Sequence, residues 1–177
     1  MDKILLLYAP KGGNVEKVSK AVSSIIGNEN SDMLLIEEVN DKLISKISSY
    51  NKFVFIISTI GRSNWDSFYT KIGWDLLLNE IRKLDLSNKI GSIIGLGDSL
   101  LYPDNFVDSM GILYEALKET NIKLVGRFDE ESYEFGNSMA IENGKFVGLP
   151  IDQDNEKELT EGRIKNWFEQ VKKDFGL

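Results

Sequence analysis

"KILLLYAPKGGNVEKVSKAV", Lys3 to Val22, reads as strand, turn and helix in immediate succession. Lys3–Tyr8 is an apolar run of strand length. Val15, Val18, Val22, Ile25 and Ile26 then recur at the spacing that lines one face of a helix. The turn between them, Ala9 to Asn14, delivers the chain to a helix N-terminus. That end exposes unpaired N–H groups and the positive pole of the dipole, which suits an anion. Gly12 and Gly13 let successive amides converge into a nest that a side chain would obstruct, and Lys11 adds a point charge. No G-K-[ST] follows, so this is not a Walker loop. A tight turn with no ligand is the competing reading.

The same alternation continues outward. "DMLLIEE" (32–38) is a second strand, and Asp41–Ile47 a short helix with Leu43, Ile44 and Ile47 inward. "KFVFIIS" (52–58) is nearly all apolar, as expected of a parallel strand covered on both faces. A polar loop leads to a helix over Trp74–Leu84, and "KIGSIIGLG" (89–97) is strand 4. Phe106, Met110, Leu113, Ala116 and Leu117 mark a long amphipathic helix. "IKLVGRF" (122–128) is strand 5. A detour then leads to the apolar piece "KFVGLP" (145–150) and a closing helix carrying Ile164, Trp167, Phe168 and Val171. Strands alternating with helices predict one α/β domain over residues 1–177, built on a parallel sheet.

Composition narrows the chemistry. The 177 residues contain neither Cys nor His, which excludes disulfides, iron–sulfur clusters and thiolate metal sites and removes the usual general base. A net charge of −7 argues against a nucleic-acid surface and suits docking to a basic protein face. No apolar run approaches the roughly 20 residues that span a membrane. The segment "MDKILLLYAP" lacks the basic stretch and cleavage site of a signal peptide, so the cytoplasm is expected.

In parallel sheets ligands sit outside the carboxyl ends of the strands, at the topological switch point. Three loops therefore matter. "APKGGN" (9–14) offers an anion site. "STIGRSNWDSFY" (58–69) brings Trp65, Phe68 and Tyr69 into a polar stretch. "GLGDSLLYPD" (95–104) pairs Asp98 with Tyr102, whose ring can stack on a flat ligand. Turn formation is the commoner fate of an aspartate such as Asp98, and Gly95 and Gly97 can serve the turn alone. Together the loops describe an anion at one end of a site and a flat aromatic body between two rings.

The segments Ile94–Leu117 and Gly126–Gly176 resemble the flavodoxins, specifically the strand-4 loop and helix and the strand-5 interruption of the long-chain type. The resemblance implies a three-layer sandwich with a five-stranded parallel sheet in the order 2-1-3-4-5, helices on both faces and strand 5 interrupted. It also implies non-covalent FMN and low-potential electron transfer between redox proteins: a reductase or oxidoreductase as donor and a low-potential enzyme as acceptor. It describes a carrier, expected as a monomer, and not an enzyme.

Residue by residue, it places Pro10, Lys11, Gly12, Gly13, Asn14 and Val15 on the phosphate. Ser58, Thr59, Ile60 and Gly61 fall at the loop that meets phosphate and inner ring face, with Trp65 as the stacking candidate there and Ile60 or another residue of that loop as the alternative. Gly95, Leu96, Gly97 and Asp98 fall along the pyrimidine side, Tyr102 on the outer face, and Asp104 beside it. Carboxylates such as Asp98 and Asp104 disfavour an anionic reduced flavin, so the last reduction is expected at low potential.

The phosphate loop departs from the family's T/S-x-T-G-N-T. Pro10, Gly12 and Val15 stand where hydroxyls usually do, and only Gly13 and Asn14 match. Hydrogen bonds to a charged group are worth about 1.5–3 kcal/mol each, so their loss weakens a phosphate site by several kcal/mol unless backbone amides and Lys11 compensate. A module for another flat anion, or a small FMN-dependent reductase, are the alternative readings.

Overall fold

The computed structural model describes residues 3–58 and 73–177. The chain runs β1 (Ile4–Ala9), α1 (Gly13–Ile26), β2 (Ser31–Leu35), α2 (Asp41–Ser48), β3 (Lys52–Ile57), α3 (Trp74–Ile81), β4 (Ile90–Leu96), α4 (Asp108–Lys118) and β5 (Lys123–Leu124). Short strands follow, β6 (Phe128–Asp129), β7 (Ile141–Glu142), β8 (Lys145–Phe146) and β9 (Leu149–Ile151), and α5 (Thr160–Val171) closes the order.

β2-β1-β3-β4-β5 form a parallel sheet in that order. β1 and β3 are buried at almost every position because the sheet is covered on both sides. Alternation then sorts their side chains. Leu5, Leu7, Phe53, Phe55, Ile57 and Ile93 pack with Leu43 and Ile47 of α2, Trp74 and Leu77 of α3 and Met110 and Leu113 of α4. Ile4, Leu6, Val54, Ile56 and Ile94 pack with Val15, Val18 and Val22 of α1 and Ile164 and Trp167 of α5. The indole of Trp167 donates to Ser92 Oγ at 3.1 Å, which pins α5 to the middle of β4. α2 begins where the Asn40 side chain accepts from the Leu43 amide at 3.1 Å, a local N-cap.

The element order agrees with the sequence reading, and several bounds differ: β2 ends at Leu35, before Glu38, and β5 holds only Lys123 and Leu124 of the run 122–128. α3 ends at Ile81, before Leu84. The fifth strand position is shared by two segments of chain. β5 pairs with the start of β4, at Ile90 and Gly91, and β9 pairs in parallel with its end, at Ile94 to Leu96. Residues 125–148 leave between them and form a small antiparallel sheet of β6, β8 and β7. The piece "KFVGLP" thus supplies, through Leu149 and Pro150, the second half of the interrupted edge strand. No helix among the described residues is long and apolar enough to cross a membrane.

Candidate functional site

β1 and β3 flank the point where the strand order reverses. At their carboxyl ends, and at that of β4, lies an open cleft of about 460 Å³. Its walls are the start of α1 (Pro10, Gly12 to Val15), Ser58, the loop after β4 (Leu96 to Asp98, Leu101, Tyr102) and two residues after β9, Gln153 and Asp154.

The α1 wall is built from backbone. Gly12, the N-cap, has φ 78° and ψ −174°, and Gly13 follows at φ 62°. These values are what demand glycine. A β-carbon at either position would meet no protein atom within 4 Å, so the backbone angles and not packing within the protein call for glycine here. Helix geometry leaves the amides of Gly13, Asn14 and Val15 without an intrahelical acceptor, and all three residues line the cleft.

Two donors here are held by the protein's own carboxylates. The Gly12 amide donates to Glu16 Oε2 at 2.7 Å, and Asn14 Nδ2 donates to Asp154 Oδ1 at 2.9 Å. The hydrogen bond from Lys20, and then that from the Gly12 amide, hold the Glu16 carboxyl below its usual range. Val15 is buried with its side chain in the α1 core, and Lys11 is exposed outside the cleft lining.

The β4 wall is a hydrogen-bonded loop. Asp98 Oδ1 accepts from the amides of Leu100 (3.1 Å) and Leu101 (2.8 Å) and from Asn155 Nδ2 (2.7 Å), while its carbonyl accepts from the Tyr102 amide (3.0 Å). Asp98 therefore shapes the turn with its carboxylate, as the turn-former reading allows, and lines the cleft as well. Tyr102 is 57% exposed and lines the cleft. Gly95 is not in the lining. A β-carbon there would stand 2.7 Å from Met110 Cβ, so this glycine lets α4 approach the sheet. Asp104 lies outside the cleft too, in the helical turn Pro103–Asn105 beside Gly136. Thr59, Ile60, Gly61, Trp65, Asp66, Phe68 and Tyr69 lie outside the described residues.

The turn after β9 was not a sequence candidate. Asp152, Asp154 and Asn155 hold both walls, although they are distant in the chain from either. "DQDN" after an apolar "LPI" is an ordinary turn signal; only the pairing of β9 with β4 shows that this turn reaches the cleft.

The sequence matches the family model for flavodoxin over residues 6–167. It is 34% identical to a flavodoxin of Nostoc sp. over 175 residues, covering 99% of this chain and 98% of that protein. It is 32% identical to a flavodoxin of Helicobacter pylori, with 99% of each chain covered. In fold it is similar to the crystal structure of Fusobacterium nucleatum flavodoxin bound to flavin mononucleotide, with a TM-score of 0.83, 21% identity and 98% of each chain covered. A chain matched along nearly its whole length by the family model and by curated relatives above 30% identity belongs to the flavodoxin family.

Proposed function

We propose that the cleft binds FMN without a covalent bond and that the protein carries single electrons between redox enzymes. One observation carries this reading in a chain of this family: the first turn of α1 and Tyr102 line the same cleft at the switch point. The volume is within the range of cofactor pockets, about 300–1,000 Å³. The donor set fits an anion joined to a flat ring. The amides of Gly13 to Val15 and the Ser58 segment would hold the phosphate, the backbone from Leu96 to Asp98 the ring edge, and Tyr102 its outer face. We assign the inner face to the loop that contains Ile60 and Trp65.

FMN, when bound, supplies the redox chemistry, and the protein supplies binding, orientation and charge. Partners meet an acidic molecule. Asp98 and Asp104 stand near the cleft, and Asp129, Glu131 and Glu134 are exposed on the interruption. Such a surface steers a basic partner and releases it readily, with salt screening the effect.

Absorption spectroscopy of the purified protein, with FMN titrated into the stripped form, tests the assignment. Flavin bands and stoichiometric binding are expected, and a colourless protein that ignores added FMN overturns it. The hold of Glu16 on the Gly12 amide favours a second reading, a flat ligand with a weaker anionic end. Tighter binding of riboflavin than of FMN would select it.

A further inference from the structure

Asp152 is fully buried yet does not line the cleft. Its Oδ2 accepts from the Ser99 amide (2.9 Å), the Ser99 hydroxyl (2.7 Å) and Asn155 Nδ2 (2.9 Å). Its Oδ1 accepts from the Asn155 amide (2.9 Å), Asn155 Nδ2 (3.1 Å) and the Asp154 amide (3.2 Å). A buried carboxylate is expensive unless it is paired or hydrogen-bonded, and here the donors are neutral groups of two loops. Both loops are walls of the cleft. Ser99 sits within the turn that presents Tyr102. Asn155 continues to Asp98 Oδ1 at 2.7 Å, and Asp154 continues to Asn14 at the start of α1. The Gly97 amide donates to the Ile151 carbonyl at 3.1 Å, so β9 brings the turn to this place.

We infer, resting on the flavin-binding reading above, that Asp152 is a positioning residue: it touches no ligand and sets the Asp98–Tyr102 wall before a ligand arrives. The alternative for a loop with three exposed apolar residues, Leu100, Leu101 and Tyr102, is to be ordered only on binding. Ordering costs backbone and side-chain entropy, and that loss appears in the affinity. Asp152 removes it in advance. Because the loop it holds meets the ring and not the anion, both phosphorylated and unphosphorylated flavin feel the loss.

The test uses the full chain stripped of ligand. FMN and riboflavin affinities are measured by flavin fluorescence, and amide hydrogen exchange is followed in the free protein for residues 98–102 and 12–15. Asp152→Ala is expected to weaken both flavins by the same factor, about tenfold or more, and to speed exchange in the 98–102 segment. Tyr133→Phe is the control. It deletes the hydrogen bond from the Tyr133 hydroxyl to the Pro150 carbonyl (2.6 Å), on the same strand, and should lower thermal stability with affinities and loop exchange unchanged. Ser99→Ala, which removes one of the six contacts and leaves the core intact, should show the same pattern as Asp152→Ala in smaller measure. Affinities that follow melting temperature alike in Asp152→Ala and Tyr133→Phe, or loop exchange that Asp152→Ala and Ser99→Ala leave unchanged, would overturn the inference. If the unaltered protein binds neither flavin, the flavin-binding reading fails by itself, and the exchange measurement still decides the role of Asp152.

Discussion

Replacing Gly12 with alanine separates backbone strain from ligand contact at the start of α1. At φ 78° and ψ −174°, Gly12 occupies a region of backbone space that is essentially closed to other residues. The added methyl group meets no protein atom within 4 Å, so the penalty in the stripped protein is conformational, about 1–3 kcal/mol. If the loop keeps its shape, the penalty falls on folding. At roughly 2–4 °C per kcal/mol for a chain of this size, the stripped protein melts about 2–12 °C lower and binds FMN as before. If the loop relaxes into an ordinary conformation, folding is spared and the penalty returns when FMN restores the amide geometry. FMN then weakens by about 5- to 150-fold.

The two losses sum to the strain, whatever the division between them. Differential scanning calorimetry of the stripped protein supplies one and fluorescence titration the other. Riboflavin, which has no phosphate, reports on the ring end and should bind the variant as it binds the parent. An equal loss for riboflavin would place the anion elsewhere. No loss in either measurement would show that glycine is not required at this turn.

Tyr102→Ala should relieve most of the quenching of bound flavin and leave the melting temperature of the stripped protein within about 1 °C, because a side chain 57% exposed contributes little to the core; emission and calorimetry check the two halves. Lys11→Gln should weaken FMN at low ionic strength, with the difference fading as salt rises beyond about 0.1 M, where screening acts over roughly 10 Å. Asp154→Asn removes a negative charge from the cleft and loosens its hold on Asn14 Nδ2, so FMN should bind severalfold more tightly with riboflavin unchanged, as read by parallel titrations. For Asp152, burial raises the carboxyl's pKa, but the hydrogen bonds from Asn155 and Ser99 outweigh it and leave it lowered. Its stability contribution is therefore complete above the ordinary carboxylate value, near pH 4, and is lost as pH falls through the lower folded value. Acid unfolding curves should show a shallower limb in Asp152→Asn, and an unchanged limb would remove Asp152 from the acid response.

Most of the sandwich was legible from periodicity. Lys52–Ile57 reads as a strand buried on both faces because it is one, and Val15, Val18 and Val22 repeat at the spacing of the face they bury. The α1 turn was legible too, since a glycine pair between an apolar strand and an amphipathic helix has few other uses. Local chemistry could not show which of two roles an aspartate takes. Asp98 was open to ligand contact or turn formation, and the amides of Leu100 and Leu101 and the Asn155 side chain now occupy its Oδ1.

What the sequence determined by itself, then, is whatever acts within a few residues: which segments are strands or helices, which faces are apolar, where glycine must turn the chain, and the absence of Cys and His chemistry. The tertiary structure decided what depends on distant partners. β5 and β9 share one edge of β4 across the interruption, Gly95 answers to Met110, Ser99 finds Asp152 at a separation of 53 residues, and Asn14 finds Asp154 at 140. Propensity and periodicity are short-range quantities. A hydrogen bond between two turns exists only once the strands that carry them have been laid side by side, and no pattern in either turn encodes the other's position.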